Sequence, residues 1–354
     1  MEEETKEVRN TMETKECKQG KKIGAWGCCG IFCAGFFLFI TVSVVMMGRA
    51  CASCASTISS ETTGKEAETE FLCGNPNSSN VIAVIDIRGI ILPEEEVFGS
   101  QIVSPERICH LIRTAAKDPE VKAILIRLDT PGGEVTASDV IRNELKNCGK
   151  PVVAQMESMA ASGGYFIATA AERIVANRTT MTGSIGVVIR TLNYYSLFRL
   201  LGLKECIYAS GKMKAMLSGG KEIESEEEKV VQALVMETFT EFLREVSESR
   251  GIPMEKLRNS DICDGRILSG AQAKKAGLVD TLGYFADAVA ETEKLLDIPA
   301  GSAKVVHYRS GSRLLDILAS MAAPSKRLSV SLNGEAVKEF TMTPGKAYFL
   351  PSFP

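Results

Sequence analysis

Histidine is nearly absent from this chain, which has two in 354 residues, His110 and His307. His110 sits beside Cys109 and Leu111 in the amphipathic stretch Pro105 to Ala116 and reads as an ordinary helix residue. His307 lies beyond the last motif with a catalytic look, so a Ser-His-Asp triad has little to draw on. Excess positive charge is also missing. The net charge is −3, with acidic and basic residues intermixed, which leaves no basic patch and argues against nucleic acid as a partner. No CxxC pair occurs in the region of the catalytic motifs. The one at Cys51 and Cys54 abuts a long apolar run, so metal binding is disfavoured and no cofactor is expected. The five cysteines from Cys73 onward (Cys73, Cys109, Cys148, Cys206, Cys263) are odd in number and unevenly spaced, which leaves disulfides and free thiols both open. Internal repeats are missing too, so the chain has room for one catalytic domain.

Two glycine pairs stand out. Gly132 and Gly133 close the run Asp129-Thr130-Pro131-Gly132-Gly133, and Gly163 and Gly164 lie in Met159-Ala160-Ala161-Ser162-Gly163-Gly164-Tyr165. Each pair falls where a strand-like run meets a helix-like one, so backbone N–H groups could face an oxyanion with no side chain in the way. Ser162 directly precedes the second pair, which points to acyl transfer. A serine hydroxyl needs an adjacent base, and with histidine scarce the candidate is lysine, a known variant of the same logic. A lysine acts as a base only when neutral near pH 7. That requires lowering its pKa by roughly three units from about 10.4, on the order of 4 to 5 kcal/mol of burial or nearby positive charge. Such a residue is not expected on a solvated surface. The segment Ser210 to Leu217 places Lys212 and Lys214 among small and apolar residues, unlike the acidic run Glu222 to Lys229 that follows.

At this point the residues resemble a family, the short, single-domain form of bacterial signal peptide peptidase A, Ser/Lys serine proteases of the ClpP/crotonase fold. The likeness runs from about Val81 to about Glu291. It rests on Pro131-Gly132-Gly133, Ala161-Ser162-Gly163-Gly164-Tyr165, Thr182-Gly183-Ser184-Ile185-Gly186, Ser210-Gly211-Lys212-Met213-Lys214, and Gly270-Ala271-Gln272-Ala273 leading to Gly277-Leu278-Val279-Asp280, in that order. The resemblance implies Ser162 as nucleophile, Lys214 as general base in preference to Lys212, and Ser184 as the hydroxyl that orients the lysine amine. The N–H groups of Gly133 and Gly163 would form the oxyanion hole. Family members commonly carry Asn-Ser before Pro-Gly-Gly; here it is Asp129-Thr130, a departure that leaves the backbone donors intact. The Asp-Thr form also resembles the related membrane proteases encoded with stomatin-like proteins, although Ser162-Gly163-Gly164-Tyr165 follows the signal peptide peptidase pattern. The family's short form completes its sites between neighbouring protomers of a ring, so the resemblance implies a homo-oligomer, with an octamer as candidate size.

Pattern alone agrees on an α/β fold with parallel pairing. Val81 to Ile91, Val121 to Leu128, Pro151 to Met156 and Arg173 to Ala176 read as strands. Pro105 to Lys117, Ala137 to Lys146, about Ser162 to Ala171 and Ile223 to Ser249 read as helices. Residues 23–48 form a 26-residue stretch without charge, longer than the roughly 20 needed to span a bilayer. Lys15, Lys18, Lys21 and Lys22 precede it, which puts the N-terminus in the cytoplasm and the remainder across the plasma (inner) membrane; a single-pass signal anchor is preferred to the competing reading, a cleaved signal peptide, whose apolar core is roughly 7 to 15 residues.

The expected layout is a cytoplasmic segment 1–22, a transmembrane helix 23–48, a flexible linker 49–79, a Ser/Lys peptidase domain 80–298 and a C-terminal extension 299–354, in which Lys304 to Tyr308 and Ala347 to Leu350 read as short strands. An oligomer arm is preferred for the extension over a disordered tail or a self-inhibitory peptide reaching the groove. The expected activity is a membrane-anchored serine endopeptidase that degrades cleaved signal peptides and other peptides. The competing classes are a crotonase-type thioester enzyme, which needs no dyad or anchor, and a silent oligomeric scaffold, which would never react with a serine-directed probe.

Overall fold

The computed structural model describes residues 67–93, 102–310 and 348–349. The chain divides into two units, Met1–Gly64 and Lys65–Pro354. The first unit, with the expected transmembrane stretch 23–48, lies outside the described residues. Among the described residues no helix is long and apolar enough to cross a membrane.

Strands β1 (Ala67–Gly74), β2 (Val81–Arg88), β3 (Ile90–Ile91) and β4 (Ile102–Val103) precede helix α1 (Pro105–Lys117). Strands β5 (Val121–Thr130) and β6 (Gly133–Glu134) lead into α2 (Val135–Lys146), and β7 (Val152–Ala161) into α3 (Gly163–Ala168). Then come β8 (Arg173–Ala176), β9 (Met181–Gly183), α4 (Tyr195–Leu200), α5 (Ser225–Arg250) and α6 (Met254–Arg258). The final elements are β10 (Ile267–Ser269), α7 (Gly270–Lys275), β11 (Thr281–Leu282), α8 (Phe285–Leu295), β12 (Lys304–Ser310) and β13 (Tyr348–Phe349). The main sheet runs β1-β12-β2-β5-β7-β8-β11, parallel except for β1 against β12, with β9 on the far half of β7 and β10 antiparallel to β9. A small second sheet has the order β13-β6-β3-β4.

Val81 to Ile85 are all buried, as a continuous apolar run covered on both faces predicts. Ala83, Ile85 and Ile87 point toward Ile108 and Ile112 of α1 and Ile141 of α2, while Ile82 and Val84 join Leu125, Val153, Val175 and Ala288 of α8. Each fully buried Ile or Leu in these two layers contributes about 1.5 to 3 kcal/mol. Helix α1 has its apolar residues at helical spacing and ends before Asp118-Pro119, because a residue preceding proline is pushed into the extended region, where Asp118 sits at φ −72°, ψ 118°.

Two boundaries differ from the sequence reading. Residues 67–74, assigned to the flexible linker, form β1, and 304–310, assigned to the C-terminal extension, form β12, which is an interior strand of the main sheet. The polar composition of 67–74 conceals the strand, which is mostly exposed and held by its pairing with β12. Strand β7 also continues past Met156, because its last residues, Met159 to Ala161, pair with β9 after the apolar run is interrupted by Glu157 and Ser158.

Candidate active site

Ser162 follows the last register pair of β7 and β9, Ala161 opposite Gly183, and is the N-cap of α3. Its backbone stands at φ 53°, ψ −114°, a conformation that costs a non-glycine residue on the order of 1 to 3 kcal/mol. Two hydrogen bonds hold it there. The Ser162 N–H donates to the Gly183 carbonyl at 2.8 Å, and the Phe166 N–H donates to the Ser162 carbonyl at 2.8 Å. The side chain is fully buried, and its Oγ has no hydrogen-bond partner among the described residues.

Helix α3 is buried along its whole length and anchored from several sides. The Tyr165 hydroxyl donates to the Leu278 carbonyl at 3.0 Å, and burial raises its pKa, so it remains a donor. Phe166 meets Phe242 of α5 edge-on with centroids 5.1 Å apart. The Arg142 guanidinium lies over Phe166, donates to Thr169 Oγ1 at 2.7 Å and pairs with Glu245. Strain at Ser162 is therefore sustained by the buried, anchored helix that follows it.

The first glycine pair is set by the small sheet. Gly133 pairs with Ile91, and a Cβ on Gly133 would stand 1.9 Å from the Ile91 carbonyl oxygen, so no other residue fits. Gly163 opens α3, and an N–H in a first helical turn has no carbonyl of its own helix to bond. Ser184 follows β9 with φ 50°, is 2% exposed, and donates its N–H to the Arg266 carbonyl at 2.8 Å. Its hydroxyl makes no hydrogen bond among the described residues.

Lys214 departs from expectation. It lies in a 3-10 turn, Lys212–Ala215, and within a single chain it is exposed and its amine has no hydrogen bond or ion pair among the described residues. The buried setting that a lysine base requires is thus not supplied by its own protomer. The physical reason is that the surrounding segment is itself largely unpacked, with Leu192, Leu200, Leu201 and Tyr208 exposed at 78, 82, 60 and 96%. Its neighbours are differently placed. Lys212 bonds Glu226 at 2.6 Å, which raises its pKa and holds it charged, and Lys221 pairs with Glu227.

The C-terminal strand β13 pairs antiparallel with β6, Phe349 opposite Gly133 and Tyr348 opposite Glu134. A short piece of the extension therefore lies along the strand that carries one expected oxyanion donor, where the sequence reading preferred an oligomer arm. The five described cysteines are free thiols.

Sequence reasoning passed over the roles of Asp129 and Thr130. Asp129 Oδ1 accepts the Met159 N–H at 3.1 Å, opposite an irregularity in the β5/β7 register, and Thr130 Oγ1 accepts the Gly132 N–H at 3.0 Å. For Thr130 the available signal was its place two residues before Gly132, since short polar side chains commonly bond the backbone two residues on; the Asp129 bond, to a distant residue, had no such signal.

Comparison with known proteins places these residues in a wider set. The family model for peptidase family S49 matches residues 144–299, and that for Clp protease matches residues 77–193. The chain is 31% identical over 252 residues to a protein of Enterococcus faecium named as a signal peptide peptidase SppA, covering 70% of this chain and 72% of that one. It is 36% identical over 256 residues to Protease 4 of Salmonella typhi and 32% identical over 252 residues to the chloroplastic serine protease SPPA of Arabidopsis thaliana. Those matches span 40% and 37% of the two longer proteins.

Proposed function

Because the chain belongs to peptidase family S49 and is a serine protease, we propose that it is a membrane-anchored endopeptidase that degrades cleaved signal peptides through a Ser162/Lys214 dyad. The observation that carries the reading is the strained, fully buried Ser162, whose hydroxyl has no hydrogen-bond partner among the described residues. An unsatisfied buried hydroxyl costs about 1 to 3 kcal/mol, which an incoming base would recover. Lys214 of an adjacent protomer is that base. Its own chain leaves it exposed beside uncovered leucines, and a neighbour seated on that surface would supply the desolvation that favours the neutral amine. Lys212 already bonds Glu226 in its own chain, which leaves Lys214 as the lysine open to a neighbour.

In this mechanism the Lys214 amine takes the Ser162 Oγ proton as the oxygen attacks the peptide carbonyl, with the Ser184 hydroxyl orienting the amine. The N–H groups of Gly133 and Gly163 receive the oxyanion, where each such donor is typically worth 100- to 1000-fold in rate. The lysine ammonium then protonates the leaving amine, and water resolves the acyl-enzyme with the same lysine as base. The substrate joins β6 as an antiparallel strand in the position that Tyr348–Phe349 occupies. Signal peptides as substrate follow the names borne by the relatives, and their apolar cores suit a site tethered by residues 23–48 to the outer face of the plasma membrane. The layout is a cytoplasmic 1–22, an anchor 23–48, a tether ending near residue 66, and a homo-oligomer of peptidase domains.

The test is cleavage of a synthetic signal peptide by the full-length protein in detergent, with Ser162→Ala, Lys214→Ala and Lys212→Ala compared. Loss in the first two with retention in the third supports the dyad. Activity in Lys214→Ala would move the base elsewhere, and a wild type that neither cleaves peptides nor reacts with a fluorophosphonate would favour a silent scaffold.

A further inference from the structure

Thr130 touches the neighbour of each expected oxyanion donor, Gly132 beside Gly133 and Gly164 beside Gly163. It is fully buried at the end of β5, in register with Ala160 two residues before the nucleophile. Its hydroxyl accepts the Gly132 N–H at 3.0 Å, one residue before the Gly133 donor. Its methyl covers the second glycine pair: a Cβ on Gly164 would stand 2.6 Å from Thr130 Cγ2 and 3.2 Å from the Thr130 carbonyl oxygen. Gly164 immediately follows the Gly163 donor. One side chain is thus bonded to the turn that presents the first N–H and packed against the backbone that presents the second. The Gly132 carbonyl, for its part, is fixed by the Ile91 N–H at 3.0 Å. With that carbonyl held from outside and the Gly132 N–H held by Thr130, the peptide plane entering Gly133 has little freedom left.

We propose that Thr130 is a positioning residue of the peptidase, which sets the spacing and direction of the Gly133 and Gly163 N–H groups by bonding the Gly132 amide through its hydroxyl and seating Gly164 against its methyl. The inference rests on the reading of Ser162 as nucleophile. Oxyanion donors act on the tetrahedral state and little on bound substrate, so an error in their placement appears in kcat rather than in KM. A displacement of about 1 Å at a reacting centre costs up to about 100-fold.

The experiment compares full-length wild type with Thr130→Val, which keeps the shape and removes the acceptor, and Thr130→Ser, which keeps the hydroxyl and removes the methyl. Signal-peptide cleavage is read together with inhibition by a peptide boronate, whose boron accepts Ser162 Oγ and places a tetrahedral anionic centre in the hole. The expected result is a kcat about 10- to 100-fold lower in Thr130→Val with KM within about twofold, and boronate affinity falling in step with kcat/KM. Thr130→Ser recovers most of that loss, to within roughly threefold of wild type. A Thr130→Val enzyme with wild-type kcat, or one that loses only KM, overturns the proposal. If Thr130→Val does not fold, Thr130→Ala, which removes both the acceptor and the methyl, takes its place: the same loss in kcat is expected, and a wild-type kcat or a loss confined to KM overturns the proposal. Ser162→Ala separates the two readings. If it is inactive while the Thr130 variants behave as wild type, only the positioning role falls, and if it is active, both fall.

Discussion

Ser162 and Ser184 are the residues that follow a single register pair, Ala161 opposite Gly183 on the parallel strands β7 and β9, and both take a positive φ, 53° and 50°. The Ser162 N–H is bonded to the Gly183 carbonyl, so the two chains turn away from the sheet side by side. Ser184 is therefore the residue directly after the carbonyl that holds the Ser162 N–H, and its own N–H is fixed by the Arg266 carbonyl.

Replacing Ser184 by Ala should lower kcat by roughly 10- to 100-fold while leaving KM close to wild type, since an orienting hydroxyl acts on the base rather than on bound peptide. Steady-state kinetics on a fluorogenic signal-peptide analogue provide the check, and an unchanged kcat would remove Ser184 from the mechanism.

Because Lys214 is exposed and the Ser162 hydroxyl is buried with no hydrogen-bond partner among the described residues, the two variants Ser162→Ala and Lys214→Ala should complement each other. Co-expression at equal levels is expected to restore about a quarter of the wild-type sites, the fraction in which an intact serine meets an intact lysine across an interface. A dyad within one chain would give no recovery.

Tyr348 and Phe349 pair with β6, the strand on which we propose that substrate adds. Ending the chain at residue 340 should raise kcat/KM for added peptide by roughly threefold or more, chiefly through KM, because a tethered strand competes at high effective concentration. A truncated protein with unchanged KM would mean that the segment lies elsewhere in solution.

Asp86 links the strands of the main sheet on the face away from α1, bonded by Arg127 at 2.6 and 2.7 Å and within 3.3 Å of His307 Nε2. Burial alone would raise its pKa; the hydrogen bonds from His307 and Arg127 outweigh it and hold the carboxyl at about 2. A carboxylate whose folded pKa is depressed stabilises the fold above its unfolded value near 3.9 and loses that contribution as pH falls toward 2, here about 2 kcal/mol. Urea denaturation of wild type and Asp86→Asn should differ by about that much at pH 7 and converge near pH 2; a constant gap would show that Asp86 acts through packing alone.

The glycine pairs, Ser162, and the alternation of strands and helices were legible because each is local: an apolar run, a turn residue, a small-residue motif. Helix α1 was read with its ends correct, since Pro105 and the Asp118-Pro119 stop are both written in the chain. Strand β1 was not legible, since its polar, exposed sequence carries no strand pattern and its order comes from β12, far away in the sequence. The setting of Lys214 was not legible for a related reason. Burial of a side chain is decided by what covers it, and among the described residues Lys214 stays exposed.

The position of β12 also has a consequence for how the molecule is made. Val81 pairs with Lys304, so the edge of β2 stays open until nearly the whole domain has been synthesised. Contacts of such long sequence separation form slowly, and an unpaired apolar strand edge invites association with other chains in the meantime. Chains that stop short of residue 304 are expected to aggregate rather than fold, so a nascent peptidase does not complete its sheet until synthesis of the domain is almost finished.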